Sequence, residues 1–308
     1  MAFALELCLA VLADLVLGDP KNFFHPVKLI GKFINLGQKF LFKENSFSRG
    51  LVLCLLTLGM TGLFVWLALW LAGNNFFVRI YFLYSALAWR DLKDETEIIF
   101  KALLNKNLKE ARKFLSYVVG RDTENLNETE ITRAVIETIS ENSVDGVMSV
   151  IFFAALGNLI YGSYGMILSV WLFKAASTLD SMVGYKKYKN FGLISARLDD
   201  ILNFIPARLG GFIIAFPNIN AIKIFLHDRK NHASPNSAHG ESAFAGVLNI
   251  KLSGGAFYDG VFVPRPFINE NARDPKIFDI VRAWNLLDIS CAKFVLLMII
   301  TELSVKFF

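Results

Sequence analysis

From Leu51 to Ala72 the chain runs 22 residues without a charged side chain. An α-helix of that length rises about 33 Å, the thickness of a bilayer's hydrocarbon core. The run predicts a membrane span. Composition carries the point to the whole chain: 54% of the 308 residues are hydrophobic and 19% are charged, too few polar side chains to cover a water-soluble globule of this size. Disorder, collagen and coiled coil are excluded by the same numbers. Lys and Arg exceed Asp and Glu by 32 to 27. With no basic stripe interleaved with aromatics, this excess reads as cytoplasmic loops rather than nucleic-acid binding. Cys8, Cys54 and Cys291 stand far apart in apolar stretches without CxxC or framework spacing, which predicts inert core thiols.

The remaining apolar segments are less regular. Phe3 to Leu17 carries Glu6 and Asp14 and lacks a basic n-region or cleavage site, so it reads as a retained first membrane helix in which Asp14 must face protein or water. Phe76 to Trp89, with Arg79, fits either a tilted return span or a buried amphipathic helix. Val147 to Phe173 is charge-free for 27 residues but interrupted by Gly157, Gly162 and Gly165. Ile201 to Phe225 is broken by Pro206, Arg208, Gly210, Gly211 and Pro217, a composition that membrane depth tolerates only where the backbone is buried in protein or lines a wet cavity. Ile289 to Phe308 is a marginal last span. Lys21, Lys28, Lys32, Lys39, Lys43 and Arg49 lie between the first two apolar segments against Asp19 and Glu44, which orients that loop to the cytoplasm. The expectation is an all-α, polytopic membrane protein of the cell (inner) membrane, with broken or re-entrant helices. It forms a single integral domain over 1–308, with amphipathic cytosolic helices inserted at 90–146 and a polar loop region at 226–285. Leu103, Leu104, Leu108, Ala111 and Leu115 supply the helical periodicity of the insertion, which predicts two or three helices there.

Polar clusters punctuate this apolar chain. Gly18-Asp19-Pro20 and His25-Pro26-Val27 follow the first helix; a helix stop with a surface loop explains them equally well. On an α-helix Glu137, Glu141 and Asp145 recur at i, i+4 and i+8, stacking three carboxylates on one face. Such a row is costly unless a cation sits in it, and hard oxygen ligands suit Mg²⁺ that also holds phosphates; a solvated acidic face is the alternative. Asp180, Lys186, Lys187, Arg197, Asp199, Asp200 and Arg208 offer acids for a metal and cations for phosphate, or ordinary juxtamembrane charge. His227, His232 and His239 fall within 13 residues, but without HExxH or another tight ligand pair, and the Ser234-Pro235-Asn236 turn beside Arg229 and Lys230 suits an anion at least as well as zinc. Gly254-Gly255 to Tyr258 and Gly260 read as a flexible loop, with a lid as the functional alternative. No GxxxxGK[ST], GxGxxG or GxSxG occurs, so any ATP site is unconventional.

Taken in order, Asp14-Leu15 with Gly18-Asp19-Pro20 and His25-Pro26-Val27, Gly120-Arg121-Asp122-Thr123, Glu141-Asn142 with Asp145-Gly146, Thr178 to Tyr185, Ala196 to Asp200 with Ile205 to Arg208, and Ser234 to Ser237 with Glu241 resemble the CobD/CbiB family of cobalamin biosynthesis. The resemblance covers about Leu12 to Leu287. It departs from the family pattern at Ala233, where a proline is usual, and at His239-Gly240, where Trp-Pro is usual, which puts the shape of that loop in doubt.

The resemblance implies a multipass membrane enzyme, adenosylcobinamide-phosphate synthase, an ATP-dependent amide ligase. It joins (R)-1-aminopropan-2-ol or its O-phosphate to the free propionate of adenosylcobyric acid. Carboxylate and amine do not condense in water, so the acid is activated by phosphoryl transfer from ATP. On that basis Glu141, Asp145 and Asp180 or Asp199 are expected to hold Mg²⁺ and the polyphosphate, and Lys186, Arg197 and Arg208 to neutralise charge. Arg121, Arg229 or Lys230 would bind the phosphate of the amine, and Glu241 or His232 would deprotonate it. Glu141 and Asp180 also count as catalytic candidates. Partners are the corrinoid, the amine, the bilayer and other corrinoid enzymes, with no nucleic acid. If the clusters share one site facing cytoplasmic ATP, Val147 to Phe173 and Ile201 to Phe225 must turn back rather than cross. A transporter with Asp14, Arg79 and Arg208 along its path, and a non-catalytic scaffold for corrinoid enzymes, are the competing readings.

Overall fold

The computed structural model describes residues 2–19, 25–42, 45–184, 188–232 and 234–307. Its regular structure is mainly helical, with four short strands in the second half. The chain divides into two compact units. One comprises Met1–Ala88, Ser149–Asn203 and Val295–Phe308, the other Trp89–Met148 and Phe204–Phe294.

In the first unit, α1 (Ala2–Leu17), α2 (Pro26–Leu41), α3 (Phe47–Leu71) and α4 (Phe76–Tyr84) precede the long α8 (Ser149–Val183) and α9 (Lys189–Leu202). Two helical stretches, Phe47–Leu71 and Glu128–Val183, are long and apolar enough to cross a membrane. They differ in what covers them: the most apolar window is 28% buried in the first and 72% buried in the second. Leu55, Met60, Leu63, Trp66 and Trp70 on α3 are exposed, a contiguous apolar face that water does not favour. At nine residues α4 rises only about 14 Å, too short for a full span.

The charges in the N-terminal apolar run find partners. Glu6, 1% exposed, receives both Arg79 Nη2 at 2.6 Å and Nε at 3.0 Å, and Asp14 is buried as expected. Cys54 and Cys291 are buried and form no disulfide; Cys8 is exposed, because it sits on a face of α1 turned away from the unit's core. The glycine-interrupted run does break. Tyr161 and Gly162 leave the helical region, with Gly162 at φ +61°, and the chain folds back so that Phe153 stacks on Phe173 at 4.8 Å and Ser169 Oγ donates to the Phe153 carbonyl at 2.6 Å. A groove of about 860 Å³ beside it, lined by Leu55, Gly59, Trp66, Leu168 and Leu172, holds no charged residue.

The second unit begins with α5 (Trp89–Leu104), α6 (Leu108–Leu115) and α7 (Glu128–Asn142), three helices across the segment where two or three were expected. Asn127 and Glu130 close a full capping box that starts α7. A π-helical turn follows at Ser143–Met148. Next come α10 (Phe204–Ala215), α11 (Ile219–Asp228), α12 (Ser237–Leu248), four short strands and α13 (Asp279–Phe307), which continues into the first unit. The break expected within Ile201 to Phe225 falls at residues 216–218, and it brings the backbone of Gly211 against the Phe225 ring.

The purely helical expectation needs one amendment. β1 (Leu252–Ser253) pairs with β4 (Phe267–Ile268) and β2 (Ala256–Tyr258) with β3 (Val261–Val263), both antiparallel. The glycines read as a loop are what allow it: Gly254 and Gly255 sit at φ +96° and +92°, and Gly260 at +77° turns the β2–β3 hairpin. At the start of α13, burial works to raise the Asp279 pKa, but Arg273, the Lys276 N–H and Arg282 overcome it and hold it at about 2.

Candidate functional site

The site grows from the contact of α7 with α12. Apart from Ser237 and Val247, α12 is buried, and seven of its twelve residues are Ser, Ala or Gly. Small side chains permit backbone approach: a Cβ at Gly240 would lie 2.6 Å from the Ser140 carbonyl of α7. That closeness sets Glu241 beside Glu137 and Glu141. The loop from α6 to α7 adds Arg121, whose Nη2 lies 2.6 Å from Glu137 Oε2. The strands close the cluster. Ser253 N–H donates to Glu137 Oε1 at 2.7 Å, Asp122 accepts the Asp259 and Gly260 N–H groups, and Asp122 N–H donates to the Phe257 carbonyl. The hairpin is thus tied to the loop that carries Arg121.

Arg265, between β3 and β4, donates from Nη2 to Tyr258 Oη at 3.0 Å and places Nη1 2.7 Å from His232 Nε2. His232 Nδ1 meets the Ser234 N–H at 3.1 Å. Glu141 Oε1 accepts from Ser237 Oγ at 2.7 Å. Arg121, Glu137, Glu241, Ser253 and Arg265 surround a polar cavity of about 10 Å³, roughly the space of one water.

Electrostatics divides the roles. Glu241 is 3% exposed, with Oε2 lacking a partner. Burial, then the charges of Glu137 and Glu141, drive its pKa well above the ordinary carboxyl value, and Arg121 and Arg265 offset this only in part. The carboxyl of Glu241 is therefore biased toward its neutral, protonated form. Burial lowers the His232 pKa, with Arg265 and Arg121 adding to the effect and Glu141 and Glu137 opposing it. The Ser234 N–H and the Arg265 guanidinium both present donors to the ring, and a neutral imidazole can accept at only one of its nitrogens. Burial acts to lower the Arg121 pKa, but the charge and hydrogen bond of Glu137 outweigh it and raise the guanidinium above its usual value. A carboxyl with a raised pKa, an imidazole with a lowered one and two fixed cations share one desolvated space.

His239, the third residue of α12, is 2% exposed and neither ring nitrogen has a hydrogen-bond partner. Burial first, then the charges of Arg208 and Arg229, outweigh the opposing Asn236 backbone and bring its pKa down from 6.5 to about 4. A depressed native pKa contributes stability above pH 6.5 that is lost as pH falls toward 4. The expected loss reaches roughly 3 kcal/mol. In thermal melts across this range the wild type should lose stability relative to His239→Leu as pH falls, and parallel curves would refute the assignment.

Of the sequence candidates, Arg121, Glu141, His232 and Glu241 come together here. Asp145 belongs to the same unit, but the π turn interrupts the 3.6-residue period after Glu141, so no α-helical row extends to it. Arg208, Arg229 and Lys230 belong to that unit as well. Asp180, Arg197 and Asp199 belong to the other. There the Asp180 carboxylate closes over the backbone of Gly184, Asp199 accepts from Asn203, and Arg197 is exposed. Lys186 lies outside the described residues. Among the described residues no group of three or more His, Cys, Asp or Glu is arranged to hold a metal ion. Sequence reasoning passed over Arg265 and Ser253, named Tyr258 only as part of a flexible loop, and named Glu137 only as part of the acidic row. The available signal for Arg265 was its place between Pro264 and Pro266, which keeps it out of a helix and on a fixed extended segment.

The CobD/CbiB protein family matches residues 7–287. The chain is 40% identical over 305 residues to the cobalamin biosynthesis protein CobD of Clostridium perfringens, covering 92% of this chain and 93% of that one. It is 42% identical over 285 residues to CobD of Pelobacter propionicus, covering 87% and 85%. With the cobalamin biosynthesis protein CbiB of Salmonella typhimurium it shares 36% over 299 residues, 91% of each chain. No solved structure matches. The match spans both units and every element of the polar cluster, and the chain belongs to the CobD/CbiB family.

Proposed function

We propose that the protein acts in cobalamin biosynthesis as a membrane enzyme that forms the amide between the free propionate of adenosylcobyric acid and (R)-1-aminopropan-2-ol or its O-phosphate, with ATP activating the acid. The observation that carries this reading is the buried Arg121–Glu137–Glu241–Arg265–His232 cluster within a chain of this family. The carboxylate to be activated is an anion, and Arg121 and Arg265 are fixed cations that suit it. The attacking amine must shed a proton to be nucleophilic. Glu241 already holds one and Glu137 is engaged by Arg121, so the neutral imidazole of His232 is assigned as acceptor and Glu241 as the hydrogen-bond donor to developing negative charge.

Mg²⁺ bound with ATP needs few protein ligands beyond the phosphates. Glu141, with one oxygen committed to Ser237, fits as one such ligand, and the ion would neutralise charge in phosphoryl transfer. Incubating the purified protein with adenosylcobyric acid, the aminopropanol phosphate and MgATP should yield the amide by mass. No amide under saturating substrates ends this reading.

The lipid-facing role of α3 and a cytoplasmic site are part of the proposal. In a background with Cys8, Cys54 and Cys291 replaced by serine, a single cysteine at exposed Ser181 or at exposed Lys230 should react with an impermeant maleimide only from the cytoplasmic side. Reaction from opposite sides would separate the two segments across the bilayer and exclude a shared cytoplasmic site.

A further inference from the structure

A second polar cluster in the same unit has no task in the scheme above. Arg208 on α10 lies against the Phe204 ring, donates to the Phe204 carbonyl at 2.6 Å and reaches Asn236 Oδ1 at 3.3 Å. Asn236 is the N-cap of α12, and its side chain makes no capping bond; the His239 N–H donates to the Asn236 carbonyl at 3.0 Å, which leaves the Ser237 and Ala238 N–H groups without the usual side-chain acceptor. Arg229 follows α11, and its Nε is buried without a partner. The neighbouring acid does not serve it: Asp228 is taken by His227 Nδ1, Asn231 Nδ2 and the Asn269 N–H. His239 completes the group, 98% enclosed, with its ring against Phe225 and both nitrogens unpartnered. Both guanidinium charges act on that ring.

Among the described residues neither Arg208 nor Arg229 makes an ion pair, and the acid at this end of α12 is Glu141, hydrogen-bonded to Ser237. Two unneutralised guanidiniums, a buried imidazole and an uncapped helix start are costly to assemble without a counter-charge, and each is a donor to an anion.

We propose that Arg208, Arg229, His239 and the start of α12 form a binding site for a phosphate-class dianion. The site rests on the proposed reaction only for its source, the terminal phosphate of a nucleotide or the phosphate of the phosphorylated amine. The structure gathers Arg208 and Arg229 around one position beside His239.

The test is calorimetric titration of inorganic phosphate into the purified full chain in detergent, which requires no turnover and so is separable from failure of the amide-forming reading. Saturable binding is expected in the wild type. Arg208→Gln and Arg229→Gln should each weaken it by about tenfold or more, with partial recovery in Arg208→Lys. Lys223→Gln, an exposed change on α11, should leave it within about twofold. Competition then identifies the source: displacement by ATP or by the phosphorylated amino alcohol supports the site and names its ligand. No saturable phosphate binding, equal binding in the arginine variants with unchanged melting, or displacement by neither competitor would overturn the proposal.

Discussion

Replacing Arg121 with leucine is expected to cost about 3–5 kcal/mol of stability and to abolish product formation. Glu137 is 3% exposed, and its ion pair with Arg121 at 2.6 Å supplies the positive charge for that carboxylate within the cluster. Removing the guanidinium strands a buried negative charge in a low-dielectric space, which costs more than the pair itself contributes. The control is the double variant Arg121→Leu with Glu137→Gln. Glutamine keeps an acceptor for the Ser253 N–H but carries no charge, so the melting temperature should return most of the way to wild type while activity stays lost. If Arg121→Leu melts like the wild type, the pair is not what holds the loop, α7 and the strands together.

Glu241→Gln should lower the rate of amide formation by roughly 10²–10⁴-fold, the range for removing a positioned proton donor or acceptor. It should also change the pH dependence of stability in a defined direction. A carboxyl whose native pKa is raised binds its proton more tightly folded than unfolded. Its contribution is complete below the ordinary value of 4.5 and is lost as pH rises toward the native value. The slope is at most about 1.4 kcal/mol per pH unit. Glutamine cannot titrate, so the stability of the wild type relative to Glu241→Gln should decline steadily from acid to neutral pH. A flat difference would mean that Glu241 is ionised in the native protein, and the assignment of a neutral acid would fall.

Much of the helical architecture was legible in the chain because hydrophobic runs and glycine interruptions act locally. Leu51 to Ala72 lies in one helix apart from its last residue, Gly162 breaks the run it interrupts, and the periodic leucines after Arg90 do form amphipathic helices. Register over longer reach was not legible. The carboxylates at 137, 141 and 145 look equivalent on a helical wheel, yet one pairs with Arg121, one accepts from Ser237, and a π turn carries the third out of the row. A π turn is a response to packing, with no spacing rule that announces it. The strands were missed for a related reason: two- and three-residue ladders are too short for an alternating pattern, and their glycines look the same in a loop.

The chain by itself determined that large apolar surfaces must be covered by lipid or protein, and that acids and bases recur at intervals too polar to be left bare. These follow from transfer energies that each residue carries wherever it sits. Only the tertiary structure decided which charges cancel. The Glu241 pKa is raised because the residue is buried and because two carboxylates 104 and 100 residues earlier lie beside it, and Arg265 matters because it reaches a histidine 33 residues upstream. Electrostatic energy depends on distance in space and on the dielectric between the groups, neither of which can be read from their order along the chain.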